Sequence, residues 1–440
     1  MKTLIFIILI LTNSAYAASK IPTWGQQAIN VKGAWDIAGA AAQGKGAKIL
    51  NIDTGVDTSV KLIGRFFKQG KSMRIAPVLG LPYDYYDESG HGTAIAGILA
   101  GIAPKSELYV ARIDQGVTLQ DVITDIQKAV EWGKATKVQV INIELALTNE
   151  ELKDLDTRSL DQSLRSAFEQ GIVIVAPSGN NDVPTMSYPA NSPWVLSVGE
   201  VDIFNQRNFG QYGPILAVVA PGESITTSYP VGKARDAQVE FNFGTSKLSV
   251  KSMGYVRSPF VKRFYGSVML AGMGTKDDFN NFESSSLALV KRAPRKIISV
   301  QSQIENALRA NASGLLICNS EPILSTKFAS LKDPETKVPV VYLDRFRCEA
   351  VWKTLDQGQA AKVKLQITPG NLVSFSGTSG SSAFVAGTAA LMYAAAPRIR
   401  PVAVMKFLQQ TATPISSTKH EYGSGLINAA KAVKRAMDLE

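Results

Sequence analysis

The chain of 440 residues contains only two histidines, His91 and His420. His91 lies in "DESGHGTAIAGILAG", where an apolar helical pattern begins. Asp53 ends the apolar strand pattern "AKILNID" and is followed by Thr54-Gly55, while Ser379 opens a late helical run in "SFSGTSGSSAFVAGTAALM". A buried carboxylate can orient a neutral imidazole, which takes the proton of a serine hydroxyl and makes that weak nucleophile competent. Taken singly, each residue is ordinary: Asp at a strand end forms turns, and His or Ser at a helix start caps or packs. Capping needs one hydroxyl, however, not the crowd of Gly, Ser and Thr that precedes "FVAGTAALMYAAA". A Gly-rich approach to a helix N-terminus also lets the backbone come close to a reacting atom, with N–H donors and the positive dipole end aimed at it. His420, in "STKHEYG", reads as a loop residue, which leaves His91 as the base.

The elements that must position these residues alternate along the first half of the chain. "AKILNID" and "ELYVARI" read as strands, "TLQDVITDIQKAVEWGKA" as a helix and "VQVINIELAL" as a strand. "NEELKDLDTRSLDQSLRSAFEQG" reads as one helix, and "IVIVAPSGN", "WVLSVGEVD" and "ILAVVAPG" as further strands. Helices close the chain through "PVAVMKFLQQTA" and "LINAAKAVKRAM". This order predicts an α/β fold, a doubly wound and mostly parallel sheet with helices on both faces. In such sheets functional residues gather outside the carboxyl ends of the strands, where Asp53 stands.

A different pattern occupies residues 231–370. "QVEFNFG" and "KLSVKSMGYV" alternate like antiparallel strands, and "SLALVKR", "SGLLICNS" and "VPVVYLD" are short apolar strands around one helix, "SQIENALRANA". The segment reads as an inserted α+β domain, with 21 Lys and Arg against 12 Asp and Glu, so it carries +9 of the chain's net charge of +10. That excess reads as a solvated surface rather than an anionic-ligand site, so no nucleic-acid partner is expected, although a protein partner could use it. The only cysteines, Cys318 and Cys348, both lie here, either paired or as buried thiols. Residues 1–17 combine a short positive end, an apolar run and a small-x-small site at Ala15-Tyr16-Ala17, which reads as a cleaved signal leading to secretion or the periplasm, with no membrane span in the mature form. With 45% hydrophobic and 19% charged residues, the remainder is globular and long enough for more than one core. The expected division is a catalytic domain in two parts, 18–230 and 371–440, around the insertion.

Together, "NIDTGVD", "SGHGTAIAGILAGIAP" and "SGTSGSSAFVAG" resemble the Asp, His and Ser motifs of the subtilisin-like serine proteases, in that family's order. The resemblance runs from Ile21 to Ile225 and from Val373 to Val433, and includes "VINIELAL", "APSGN" and "YGSGLINAAKAV". It implies that Asp53 orients the imidazole, His91 is general base and acid, and Ser379 is the nucleophile. It further implies that Asn180 is the oxyanion donor beside the Ser379 backbone N–H. Glu144, Leu145 and Ala146 would lie along the substrate-binding strand, and Pro177, Ser178 and Gly179 would be substrate-binding as well. The substrate class implied is protein or peptide. Within the insertion, "SLALVKR" and "QIENALRANASGLLICNSE" resemble, more loosely, the protease-associated domain that this family often carries between the Asn and Ser motifs.

The chain also departs from that pattern. After Ser379 the family usually has Met-Ala-Ser/Thr-Pro-His, whereas this chain has Gly380-Ser381-Ser382-Ala383-Phe384. Ala94 replaces a second His, and in "NIELA" Glu144 replaces the usual Ser and Ala146 the usual Gly. A carboxylate there could draw a cationic substrate side chain, raise the His91 pKa, block the cleft or point to solvent. The N-terminal Gln and downstream Asp of the family's usual strong calcium site are missing, so that site is expected to be lost and no cofactor is expected. Few residues separate Ala17 from "IPTWGQQAINVKGAWD", which resembles the mature enzyme's start, so the usual folding prosegment is expected to be absent. The reading is an exported serine endopeptidase. Its rivals are a catalytically silent scaffold that holds a partner through the basic insertion, and an esterase or amidase on the same three residues.

Overall fold

The computed structural model describes residues 23–74, 84–113, 118–292, 297–320, 324, 334–415 and 418–440; the expected signal segment lies outside them. Seven strands form the central sheet: β1 (Lys48–Asp53), β2 (Phe67–Ser72), β3 (Glu107–Arg112), β4 (Val140–Ile143), β5 (Val173–Pro177), β6 (Val195–Val201) and β7 (Val218–Pro221). Their order is β2-β3-β1-β4-β5-β6-β7, and every neighbouring pair is parallel. The central strands are buried on both faces, which is why they read as apolar runs rather than alternations. Helices α1 (Val31–Ala38), α2 (His91–Ile102), α3 (Leu119–Thr136) and α4 (Arg158–Glu169) precede or link these strands. The expected single helix over Asn149–Gly171 is instead a short turn of helix, Asn149–Leu152, followed by α4. The Asp156 carboxylate accepts the Arg158 N–H at 3.1 Å and restarts the chain at that point.

Two strands, β8 (Ile225–Ser228) and the later β16 (Leu372–Phe375), form an antiparallel ribbon through which the insertion leaves and rejoins the core. Between them β9 (Ala234–Phe243), β10 (Ser246–Gly254), β11 (Val261–Leu270), β12 (Leu287–Lys291), β13 (Gly314–Cys318), β14 (Val340–Leu343) and β15 (Lys362–Gly370) close into a barrel. Strands β11 to β14 run parallel, and β9, β10 and β15 complete the closure by antiparallel pairing. Two helices pack on it, α5 (Val300–Arg309) and α6 (Arg345–Asp356), rather than the one expected. A disulfide joins Cys318, at the end of β13, to Cys348 on α6, with Cα atoms 5.6 Å apart. Closure removes the exposed sheet edges that isolated strands would leave.

The chain then re-enters the core as α7 (Thr378–Ala395), α8 (Pro401–Gln410) and α9 (Ala429–Met437). Nearly every side chain of α7 from Gly380 to Tyr393 is buried, so this helix runs through the protein rather than over it. Its small residues permit that position. A Cβ on Gly387 would come within 2.9 Å of Ile102, and one on Gly380 within 3.2 Å of Phe375, so α2, β16 and α7 are packed nearly backbone to side chain.

Ala234 and Gly370 are direct partners in the β9–β15 ladder. A turn of a few residues can therefore bridge them, because ladder partners lie about 5 Å apart. A chain in which such a turn replaces the barrel is expected to keep a single cooperative thermal transition and the far-ultraviolet signature of the core. Loss of cooperative melting in that variant would mean that the barrel is part of the core's folding unit.

Candidate active site

Asp53 is the last residue of β1 and its side chain is almost fully buried, whereas the imidazole of His91, the first residue of α2, is part exposed. His91 Nδ1 lies 2.8 Å from Asp53 Oδ1. Close backbone approach sets this meeting. A Cβ on Gly92 would fall 2.1 Å from the carbonyl oxygen of Gly55, so only glycine lets the start of α2 seat against the turn after β1. Asp53 also accepts the Thr54 N–H at 2.6 Å and the Asn51 side chain at 3.4 Å. The ring of Phe375, from β16, meets the imidazole edge on at 5.5 Å between centroids.

A carboxylate not singled out in the sequence organises the start of α2. Asp87 is fully buried; one oxygen accepts the Ser89 and Gly90 N–H groups and the Thr54 hydroxyl, and the other accepts the N–H and hydroxyl of Thr93, all within 3.0 Å. Thr54 Oγ1 in turn accepts the Gly92 N–H at 3.0 Å. The signal was present in "DESGHGT", an acid just ahead of a helix start, where N–H groups lack intrahelical partners.

Ser379 occupies the first turn of α7, partly exposed. At the same end, Asn180 Oδ1 accepts both the Thr378 N–H at 2.9 Å and the Thr378 hydroxyl at 3.0 Å. A backbone N–H can only donate, so the amide oxygen must face it, and the Nδ2 donor is turned the other way. Pro177, Ser178 and Gly179 are buried and act as the mount for Asn180: Ser178 N–H donates to Val198 O at 2.8 Å, and Gly179 N–H reaches Thr378 Oγ1 at 3.3 Å. Behind them Glu200 accepts the N–H groups of Asn208, Phe209 and Gly210, and burial pushes its pKa up to about 7.

Strand β4 ends at Ile143, earlier than expected, and half-buried residues 144–146 run on outside the sheet until Leu147 pairs with Tyr188. Leu145 and Ala146 are half-buried in that stretch. Glu144 is turned inward: its Oε1 accepts the Ser382 hydroxyl at 2.6 Å and the Asn142 amide at 2.7 Å, and its Oε2 is buried. This geometry disfavours the expectations that it points to solvent or grips a cationic substrate side chain, because the carboxylate is engaged beneath α7. Burial, and then the Asp53 charge, push the Glu144 pKa up to about 7, against the opposing pull of His91 and of the Ser382 and Ser379 hydroxyls. For His91, burial acts downward, but the Asp53 charge and hydrogen bond outweigh it, with Glu144 and Asp87 adding to them, and the pKa rises to about 9. His420 is exposed and lies in a one-turn helix, Lys419–Tyr422, rather than in the expected loop.

The model of the Subtilase family matches residues 44–260 and 354–425, more than half of the chain. Subtilisin BL of Lederbergia lenta is 33% identical over 197 residues, which cover 42% of this chain and 68% of that protein. Subtilisin Savinase of the same organism is 32% identical over the same shares. Among solved structures, a psychrophilic subtilisin-like protease from an Antarctic Pseudoalteromonas has the same fold, with a TM-score of 0.63 and 20% identity over 94% of this chain and 98% of that one.

Replacing Gly92 by alanine is expected to cost about 1–3 kcal/mol of stability, as overpacking does in a filled interior, and to pull His91 away from Asp53. Thermal denaturation checks this; an unchanged melting temperature would mean that the two backbones are not seated as described.

Proposed function

Because the chain belongs to the subtilase family, we propose that it is an exported serine endopeptidase in which Asp53, His91 and Ser379 act as one proton-transfer unit. The observation that carries this reading is the 2.8 Å contact between Asp53 and His91 at the carboxyl edge of the sheet, with Ser379 on the helix whose first turn is tied to Asn180. Asp53 holds the tautomer with hydrogen on Nδ1, leaving Nε2 to accept the Ser379 proton as Oγ attacks the scissile carbonyl. His91 then returns that proton to the leaving amine, and water hydrolyses the acyl-enzyme by the same steps in reverse. Charge developing on the carbonyl oxygen is met by Asn180 Nδ2 and the Ser379 N–H, at the positive end of α7.

The substrate would lie along residues 144–146 on one side and the segment leading to Asn180 on the other, opening a polypeptide in extended form to attack. The small residues of the α7 start keep that approach free of side chains. We read the barrel as a protease-associated-like domain that contacts substrate or a protein partner. Export is supported by the leader-like residues 1–17 and by the Cys318–Cys348 disulfide, which suits an oxidising compartment. We expect no metal cofactor in the reaction, since the unit described moves protons without one.

Ser379→Ala and His91→Ala are each expected to lower kcat for a chromogenic peptide by about 10⁴-fold or more while leaving the fold intact. Asn180→Ala should lower kcat by about 100-fold or more with little change in KM, a magnitude borrowed from the corresponding donor of subtilisin. Full turnover in either of the first two variants would refute the assignment. An Asn180 variant with raised KM and unchanged kcat would remove that residue from the oxyanion site. Turnover of small esters without any peptide cleavage would favour an esterase.

A further inference from the structure

Strand β1 ends in Asn-Ile-Asp, "LNID", and β4 with the residue that follows it reads Asn-Ile-Glu, "INIE". They pair in parallel with Asn51 opposite Asn142 and Ile52 opposite Ile143, and the Glu144 N–H donates to Ile52 O at 3.0 Å. Side chains two apart on a strand share a face, so Asn51 and Asp53 stand beside Asn142 and Glu144. The buried amides link the two acids: Asn142 Nδ2 donates to Asn51 Oδ1 at 2.8 Å and to Glu144 Oε1 at 2.7 Å, and Asn51 Nδ2 reaches Asp53 Oδ2. Two carboxylates thus stand side by side at the point where strand connections diverge to left and right, which in open sheets is where ligands bind.

We propose that Glu144 is a positioning residue of the active site: held in register with Asp53, it keeps His91 in its protonated, resting form, so that the base is released only as the medium turns alkaline. The proposal rests on the peptidase reading given above. A site with two neighbouring buried carboxylates is stabilised by a cation, and His91 is the cation at hand. The charged groups that shift it are Asp53 from β1, Glu144 after β4 and Asp87 from the loop before α2, all acidic. Glu144 in turn faces Asp53, His91, and the Ser379 and Ser382 hydroxyls of α7. Glu144 thus adds a second acidic group to the field acting on the imidazole. While Glu144 is ionised, removing the proton from His91 leaves two adjacent anions without their counter-charge. The base is therefore formed at a higher pH than Asp53 alone would require.

Glu144→Gln keeps the shape and an acceptor for Ser382 but removes the charge, so the acid limb of kcat/KM against pH should move down by about one unit. A purely structural role would leave that limb in place. Imidazole NMR titration gives a second readout that needs no turnover, because His420 is the only other histidine. In the wild-type protein His91 should titrate well above the ordinary histidine range, and in the Gln variant its midpoint should move down. An unchanged profile and titration in Glu144→Gln overturn the proposal. If that variant does not fold, a wild-type His91 midpoint in the ordinary histidine range overturns it equally. Absence of peptide hydrolysis at every pH, with His91 titrating as described, would refute the peptidase reading and leave the Glu144 linkage standing.

Discussion

Register between β1 and β4 is the constraint from which the site follows. The buried amides of Asn51 and Asn142 meet at 2.8 Å among the buried Ile, Leu and Val side chains of β1 and β4. An unpaired amide at this depth would cost about 1–3 kcal/mol, so each asparagine penalises any alignment that separates it from the other. A slip of β4 by one residue would also turn Glu144 to the face opposite Asp53. With the register fixed, Asp53 and Glu144 emerge together at the carboxyl edge. The glycine contact between Gly55 and Gly92 then decides that His91 is the group that meets them.

The insertion is attached at the most sensitive place. Its ribbon, β8 with β16, lies against α2 through the Thr227 hydroxyl, which donates to Ala94 O at 2.7 Å, and it carries Phe375 to the His91 ring. Tyr229 is fully buried against Gly90, whose φ of 87° and lack of a Cβ are both needed for that contact. The Asp57 carboxylate also accepts the Val231 N–H at 2.9 Å, fastening the first residue of the inserted segment to the loop after β1. The barrel's own core is separate, yet its stalk packs against the helix that begins at His91.

Much of this was legible in the sequence because the central strands are continuous apolar runs and the three polar motifs sit at their ends. Asp53, His91 and Asn180 could be placed because each follows a strand or opens a helix with a recognisable start. Strand β2, "FKQGKS", was missed: it is a polar edge strand with no buried face to impose alternation. Helix α6 was missed because "RFRCEAVWKTLD" buries only Cys348 and Val351, too few positions to declare a helical period. The orientation of Glu144 was out of reach, since it depends on a hydroxyl 238 positions away, that of Ser382. The Asn-Ile-acid repeat was visible, but its meaning required knowing that the two strands are neighbours in that register.

The central claim is that Ser379 is a nucleophile activated by His91 and Asp53. Fluorophosphonate labelling of the wild-type protein, followed by peptide mass spectrometry, tests it most directly. The account predicts a single phosphonylated residue, Ser379, with labelling abolished in His91→Ala and much slowed in Asp53→Ala. Labelling that is absent from a folded wild-type protein between neutral and alkaline pH, or that falls on another serine, would contradict it.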